Sequence, residues 1–214
     1  MNRKQKMQCV IGFLKRNYYE ERSLAKNKFC LLIATVLSQR NRDESTAIAS
    51  MRLFSVAKTP QAILKLPKKK LEALIKKSGT YRQKAERIRK ICRILIDEYN
   101  GHVPKTRSEL LALPGVGYKT ADIVLSYGYG VPTIAVDTHV NRIPKRIGIV
   151  PESAELEEVR LLLEKLTPKK DRFVVNLGLV RFGQGICRPV GPKCQVCALN
   201  TICKYGKNRI GTKK

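Results

Sequence analysis

The stretch Leu113–Leu125, LPGVGYKTADIVL, places a proline and two glycines between two apolar segments and a lysine at the mouth of the second. Pro114 blocks continuation of a short helix read over 107–112, and the glycines permit positive φ in a tight turn. A second helix then starts near Tyr118. A glycine turn feeding a helix start leaves backbone N–H groups pointing outward beside a positive helix end, an arrangement suited to a phosphate oxygen. Equally, it is what any tight turn between two helices requires. Lys119 falls in the first turn, where the helix dipole disfavours a cation. Helix-end placement with partial burial pushes an ammonium toward the neutral amine, a nucleophile able to form a Schiff base. With about one residue in five Lys or Arg, an ordinary surface lysine is the competing explanation.

Working outward, TIAVDTHVNRI at 133–143 supplies a carboxylate. Asp137 follows an apolar extended run and precedes a helix start, so its first role is an N-cap. Eighteen residues separate it from Lys119, about one helix and a return. An amine and a carboxylate together are what cleavage of an N-glycosidic bond needs: one attacks the sugar, the other stabilises developing positive charge and moves protons.

The remaining chain carries a helical apolar period almost throughout, with helices expected at 29–37, 44–56, 60–65, 68–77, 82–99, 138–147, 154–166 and 171–181, and the hairpin's second helix running over 118–127. The fold class expected is all-α. Asn100-Gly101 stops the 82–99 helix. The chain of 214 residues holds 43 Lys plus Arg against 17 Asp plus Glu, a net charge of +26, spread along its length. Such a surplus asks for a polyanion, and nucleic acid leads. No 18-residue apolar run, signal peptide or lipidation motif supports a membrane, and a cytoplasmic, nucleoid-associated monomer is expected.

Seven cysteines divide into two sets. Cys9, Cys30 and Cys92 lie scattered in helix-like surroundings and are expected to be buried thiols. Cys187, Cys194, Cys197 and Cys203 fall within 17 residues at C-x6-C-x2-C-x5-C spacing, with no histidine nearby. Four thiolates so placed can hold structural zinc or an iron–sulfur cluster; one central C-x2-C with longer outer arms favours the cluster. Arg188, Lys193 and Lys204 beside them suggest that the metal shapes a basic surface.

These elements, with LLIATVLSQRNRD (31–43), YRQKAERI (81–88), LPGVGYKTA (113–121) and VDTHVNRI (136–143), resemble the endonuclease III family of DNA glycosylases within the helix-hairpin-helix superfamily. The resemblance spans nearly the whole chain. It implies a six-helix barrel domain over 24–132 and a discontinuous helical domain over 1–23 and 133–214 with a [4Fe-4S] cluster on the four cysteines. It places double-stranded DNA containing a damaged base or abasic site in the cleft between them. By the same resemblance Lys119 attacks C1′ of a flipped-out nucleotide, Asp137 assists, and the strand is nicked 3′ to the lesion by β-elimination. Pro114, Gly115, Val116, Gly117 and Tyr118 would hold the DNA backbone, with a monovalent cation at the hairpin. Two positions depart from the family pattern. Arg40 stands where glutamine is common, with Gln39 one residue earlier, so either could fill the vacated stack; Thr80 stands at the position of a leucine wedge. The function implied is a bifunctional glycosylase and abasic-site lyase acting on oxidised pyrimidines. The alternatives are a monofunctional glycosylase for mismatched T or U, against which Lys119 argues, and a non-catalytic DNA-binding protein.

Overall fold

The computed structural model describes residues 1–21 and 23–211, with the side chains of residues 210 and 211 left aside. Among the described residues every regular element is helical. The chain divides into two compact units, one formed by Ser23–Val131 and the other by Met1–Arg22 with Pro132–Lys214.

The Ser23–Val131 unit contains α2 (Lys28–Ser38), α3 (Asp43–Phe54), α4 (Pro60–Lys65), α5 (Lys68–Leu74), α6 (Tyr81–Tyr99), α7 (Arg107–Ala112) and α8 (Tyr118–Ile123). Side-chain caps start several of them: Asn27 accepts from Cys30 N and Thr59 from Ala62 N, each satisfying an otherwise orphaned helix donor. Helix α2 contributes Phe29, Leu32, Ile33, Val36 and Leu37 to the core, consistent with its apolar run. Around it pack Ile88, Ile91, Cys92 and Leu95 of α6, with Ala121, Val124 and Leu125. Burial of these side chains from water is the main force assembling the unit. Helix α6 ends at Asn100 (φ 50°) and Gly101 (φ 78°), with Gly101 N donating to Leu95 O, as the Asn-Gly pair requires. The helix expected over 118–127 is not uniform: after Ile123 it widens into a π turn over Val124–Gly128. A Cβ at Gly128 would meet Leu31 Cδ2 at 3.4 Å, so this turn lies close against α2.

The other unit contains α1 (Arg3–Tyr18), α9 (Thr138–Ile147), α10 (Leu156–Leu166), α11 (Arg172–Gly185) and α12 (Lys204–Gly211). Helix α1 opens on a reciprocal capping box between Asn2 and Gln5 and turns Met7, Val10, Ile11 and Leu14 inward. It lies close on α11, where a Cβ at Gly178 would stand 3.0 Å from Leu14 Cδ2.

Burial corrects the expectation for the scattered cysteines. Cys92 is buried, and that burial raises its thiol pKa to about 12. Cys30 is half-buried and Cys9 is exposed. Cys9 lies off the Met7–Val10–Ile11–Leu14 face, which places it toward solvent.

Candidate nucleic-acid interface and active site

The hairpin is built from both sides. Thr106 caps α7 in a reciprocal box with Glu109, and Arg107 in the same first turn reaches Asp122 of α8 with two hydrogen bonds, Nε to Oδ1 at 3.0 Å and Nη2 to Oδ2 at 3.1 Å. Asp122 is 1% exposed, so this bidentate pair is a buried fastening between the two helices. The Arg107 guanidinium also lies 4.7 Å from the Tyr118 ring centroid, a cation–π contact on a ring that is 52% exposed.

The two glycines do different things. Gly115 has φ 73°, and a Cβ there would fall 2.2 Å from Arg87 Nε; the position needs glycine for backbone and for space. Gly117, at φ −95° and ψ 179°, is extended and has nothing within 4 Å of its hypothetical Cβ. The sequence expectation of positive φ at both is therefore corrected. Gly117 is the N-cap of α8 and provides no side-chain cap, so this helix start is bare backbone. Pro114 is half-buried, Val116 buried, and Gly117, Tyr118 and Lys119 exposed.

Lys119 is the second residue of α8. Its exposure means that the partial burial expected for it is absent from the free protein.

Gln39, just past α2, points inward. Its Nε2 donates to Gly115 O at 2.9 Å and to Thr120 Oγ1 at 3.3 Å, and its Oε1 accepts from Arg87 Nη1 at 3.0 Å. Arg87, which passes beneath Gly115, thus joins α6, the α2 terminus and the hairpin turn. Arg40 is exposed, with φ 52°. Thr80, the N-cap of α6, is exposed at φ 36°, following Gly79 at φ 62°. Sequence reasoning missed Arg87, Arg107 and Asp122. A basic–acidic pair bracketing a glycine turn was the available signal for the last two.

In the other unit, Asp137 is the N-cap of α9. Its Oδ1 accepts from His139 N and Val140 N, both at 2.8 Å, leaving Oδ2 outside the cap. His139 lies over α11, because a Cβ at Gly183 would stand 2.3 Å from its Nδ1. Further along α9, Arg142 Nη2 donates to Cys187 O at 3.0 Å. One turn later Arg146 donates from Nη1 to Arg188 O at 2.8 Å and to Cys187 Sγ at 3.5 Å, and from Nη2 to Pro189 O at 3.0 Å. Burial lowers the pKa of Arg142, with Arg146 adding to the effect.

Cys187, Cys194, Cys197 and Cys203 line one cavity with Ile143, Phe182 and Leu199 among the apolar walls. Among the described residues no three His, Cys, Asp or Glu side chains are placed to hold a single metal ion. The thiols surround a space rather than converge on a point. Gly206 N donates to Cys203 Sγ at 3.3 Å, a contact that favours a thiolate. Burial raises the Cys203 pKa despite it, and burial likewise raises that of Cys197.

Residues 33–169 match the model of the HhH-GPD superfamily of base excision DNA repair proteins. The chain belongs to that family. It is 50% identical to the endonuclease III of Thermotoga maritima over 181 residues, 85% of this chain and 84% of the relative. To that of Escherichia coli K12 it is 37% identical over 206 residues, 96% and 97% of the two chains. A solved trapped endonuclease III–DNA covalent intermediate superposes with a TM-score of 0.90 at 39% identity, covering 98% of this chain and all of that one. The all-helical architecture is the fold of this family.

Proposed function

We propose that this protein is a bifunctional DNA glycosylase and abasic-site lyase of base excision repair, acting on oxidised pyrimidines in duplex DNA. The observation that carries it is Lys119, an exposed amine in the first turn of a helix whose N-terminus is bare backbone, set in a glycine hairpin fastened by Arg107–Asp122 and Arg87. Relatives of this architecture carry the name endonuclease III, and one has been trapped covalently on DNA.

In this reading the damaged nucleotide is extruded, since a stacked base hides C1′ from any side chain. The neutral amine of Lys119 attacks C1′ and the base departs with its bonding pair, taking up a proton. Asp137 Oδ2, outside the cap, stabilises the cationic sugar and accepts protons. The C1′–O4′ bond then breaks, O4′ leaving with the pair and taking up a proton while the amine nitrogen forms the C=N bond; the resulting Schiff base acidifies C2′–H, and loss of that proton expels the 3′ phosphate and nicks the strand. Bare N–H groups at the start of α8, with Pro114 to Tyr118, hold a phosphate of the backbone. Because the Gln39 amide is held by Gly115, Thr120 and Arg87, the exposed Arg40 is the side chain that fills the vacated stack, and Thr80 is the wedge. A monovalent cation at the hairpin would lie among its carbonyl oxygens, of which Gly115's accepts from Gln39 and Leu113's from Val116 N.

The four cysteines suit a [4Fe-4S] cluster. An apolar cavity lined by four thiols, approached by a guanidinium at Cys187 and a backbone N–H at Cys203, matches a multi-iron body better than one ion. Bound there, the group would cross-link the loop of Cys187–Cys203, which Arg142 and Arg146 tie to α9.

Borohydride reduction of a mixture with an abasic-site duplex should yield a covalent protein–DNA adduct that disappears in Lys119→Ala. No adduct from the native protein would refute the lyase assignment.

A further inference from the structure

Lys84 of α6 carries an ammonium with almost no access to water, being 3% exposed. Its Nζ donates to three main-chain carbonyls: Leu37 at 2.7 Å, Gln39 at 2.9 Å and Ser78 at 2.6 Å. An ammonium has three protons, and each finds an acceptor. The carbonyls come from two separate segments. Leu37 and Gln39 terminate α2, where the last helix carbonyls lack internal partners. Ser78 ends the short 3₁₀ turn after α5.

Each of these segments leads straight into a strained residue. Immediately after Gln39, Arg40 adopts φ 52°, and two residues after Ser78, Thr80 adopts φ 36°. Among the described residues only Asn100 shares a positive φ without being glycine, and asparagine tolerates that region. Arginine and, above all, β-branched threonine do not favour it and persist there only when their surroundings impose it. Lys84 is the shared anchor of both loops. In addition, its own backbone N–H donates to Thr80 O at 3.0 Å.

We infer that Lys84 is a positioning residue for base extrusion: its ammonium ties the two loops together and holds Arg40 and Thr80 in left-handed backbone, so that both side chains meet the duplex already oriented. The inference rests on the reading of Arg40 and Thr80 as the residues that enter the base stack. Loops ordered in advance lose less conformational freedom on binding. Extrusion from a duplex needs both loops, whereas attack on an abasic site in a single strand has no base to extrude.

The test compares two reactions in one protein preparation. Lys84→Met keeps the length and removes the donors. It should lower base release from a duplex holding one oxidised pyrimidine by at least about tenfold, while borohydride trapping on a single-stranded abasic site stays within about twofold of wild type. Parallel loss of both reactions would reduce Lys84 to a structural anchor and overturn the inference, as would no loss in either. Lys84→Arg, which keeps charge and donors, should recover part of the duplex reaction; recovery no better than Lys84→Met counts against the ammonium. If Lys84→Met gives no cooperative melt, Lys84→Gln, whose amide keeps two donors, replaces it; failure of both to fold also assigns Lys84 a purely structural role. Arg40→Ala separates the two levels. If it leaves duplex base release unchanged, the reading of the loop fails and the inference falls with it. If Arg40→Ala lowers release and Lys84→Met does not, only the role of Lys84 is lost.

Discussion

Replacing each hairpin glycine by alanine should separate folding from DNA binding. At position 115 the new Cβ must accept φ 73° and displace Arg87, whose Nε would be 2.2 Å away. The left-handed backbone costs about 1–2 kcal/mol for an L residue with a side chain. Moving Arg87 breaks its bond to Gln39 Oε1, about 1 kcal/mol more at a half-buried site. A total near 2–3 kcal/mol lowers the melting temperature by roughly 5–10 °C for a chain of this size. Position 117 is the reverse case. Its φ of −95° suits alanine and no atom lies within 4 Å of the Cβ, so the fold should lose less than about 1 kcal/mol, mainly through a poorer N-cap. That methyl group would project over the bare helix start, where a phosphate must approach, and affinity for an abasic-site duplex should fall by about tenfold, or roughly 1.4 kcal/mol. Thermal melts followed by circular dichroism and fluorescence anisotropy titrations at one fixed salt concentration measure the two effects. Equal melting temperatures for Gly115→Ala and wild type, or native affinity in Gly117→Ala, would refute this division of labour.

At position 137, asparagine keeps the capping oxygen and loses the charge, so Asp137→Asn should melt within about 0.5 kcal/mol of wild type while single-turnover base release falls by about a hundredfold; Asp137→Ala should in addition lose about 1 kcal/mol with the cap. Denaturant melts beside single-turnover kinetics distinguish the two, and equal destabilisation by both variants would mean that the carboxylate acts chiefly as a cap. Burial, with Arg87 nearby, lowers the Lys84 pKa from its ordinary 10.5 to about 8. Between those values the unfolded chain binds the extra proton, so wild-type stability should rise relative to Lys84→Met from pH 8 toward 10.5, and a difference that is flat or falls with pH contradicts the lowered value.

Most of the helical plan was legible because apolar periodicity and caps agree: Thr59-Pro60 starts α4, and Asn100-Gly101 ends α6 as the pattern requires. Helix α12 escaped because KYGKNRIG offers two glycines and scarcely any apolar stripe; it is held by its neighbours rather than by its own pattern. Helix α11 runs beyond the expected end at 181 to Gly185, since Gly183 packs beneath His139 and can remain helical without a side chain. Lys119 could be singled out because a cation is out of place in the first turn of a helix, whereas the glycine turn and the N-cap Asp137 are ordinary for their places and drew notice through their spacing from it and the family resemblance. Lys84 and Arg87 could not, because in so basic a chain a lysine or arginine draws no attention. Yet Lys84 sits in register with Ile88, Ile91 and Leu95 on the inner stripe of α6, and a charge on an apolar stripe must be paired or bonded. Composition hid what periodicity contained.

The cysteine loops likewise have a part that their basic neighbours alone do not suggest. Arg188, Lys193 and Lys204 are exposed, which supports a DNA-facing surface. The stronger connection runs inward. Four hydrogen bonds from Arg142 and Arg146 reach Cys187, Arg188 and Pro189, and all leave from the helix that Asp137 caps. Arg142 stands about one and a half turns from Asp137, ahead of Pro144, where the missing N–H interrupts the backbone ladder, so it is the tie nearer the carboxylate. The loop that begins at Cys187 therefore holds the C-terminal half of α9, and His139 seated over Gly183 holds its beginning. The carboxylate is oriented from both ends of its helix. The cysteine loop thus supports the helix that presents Asp137, whatever its exposed basic side chains meet.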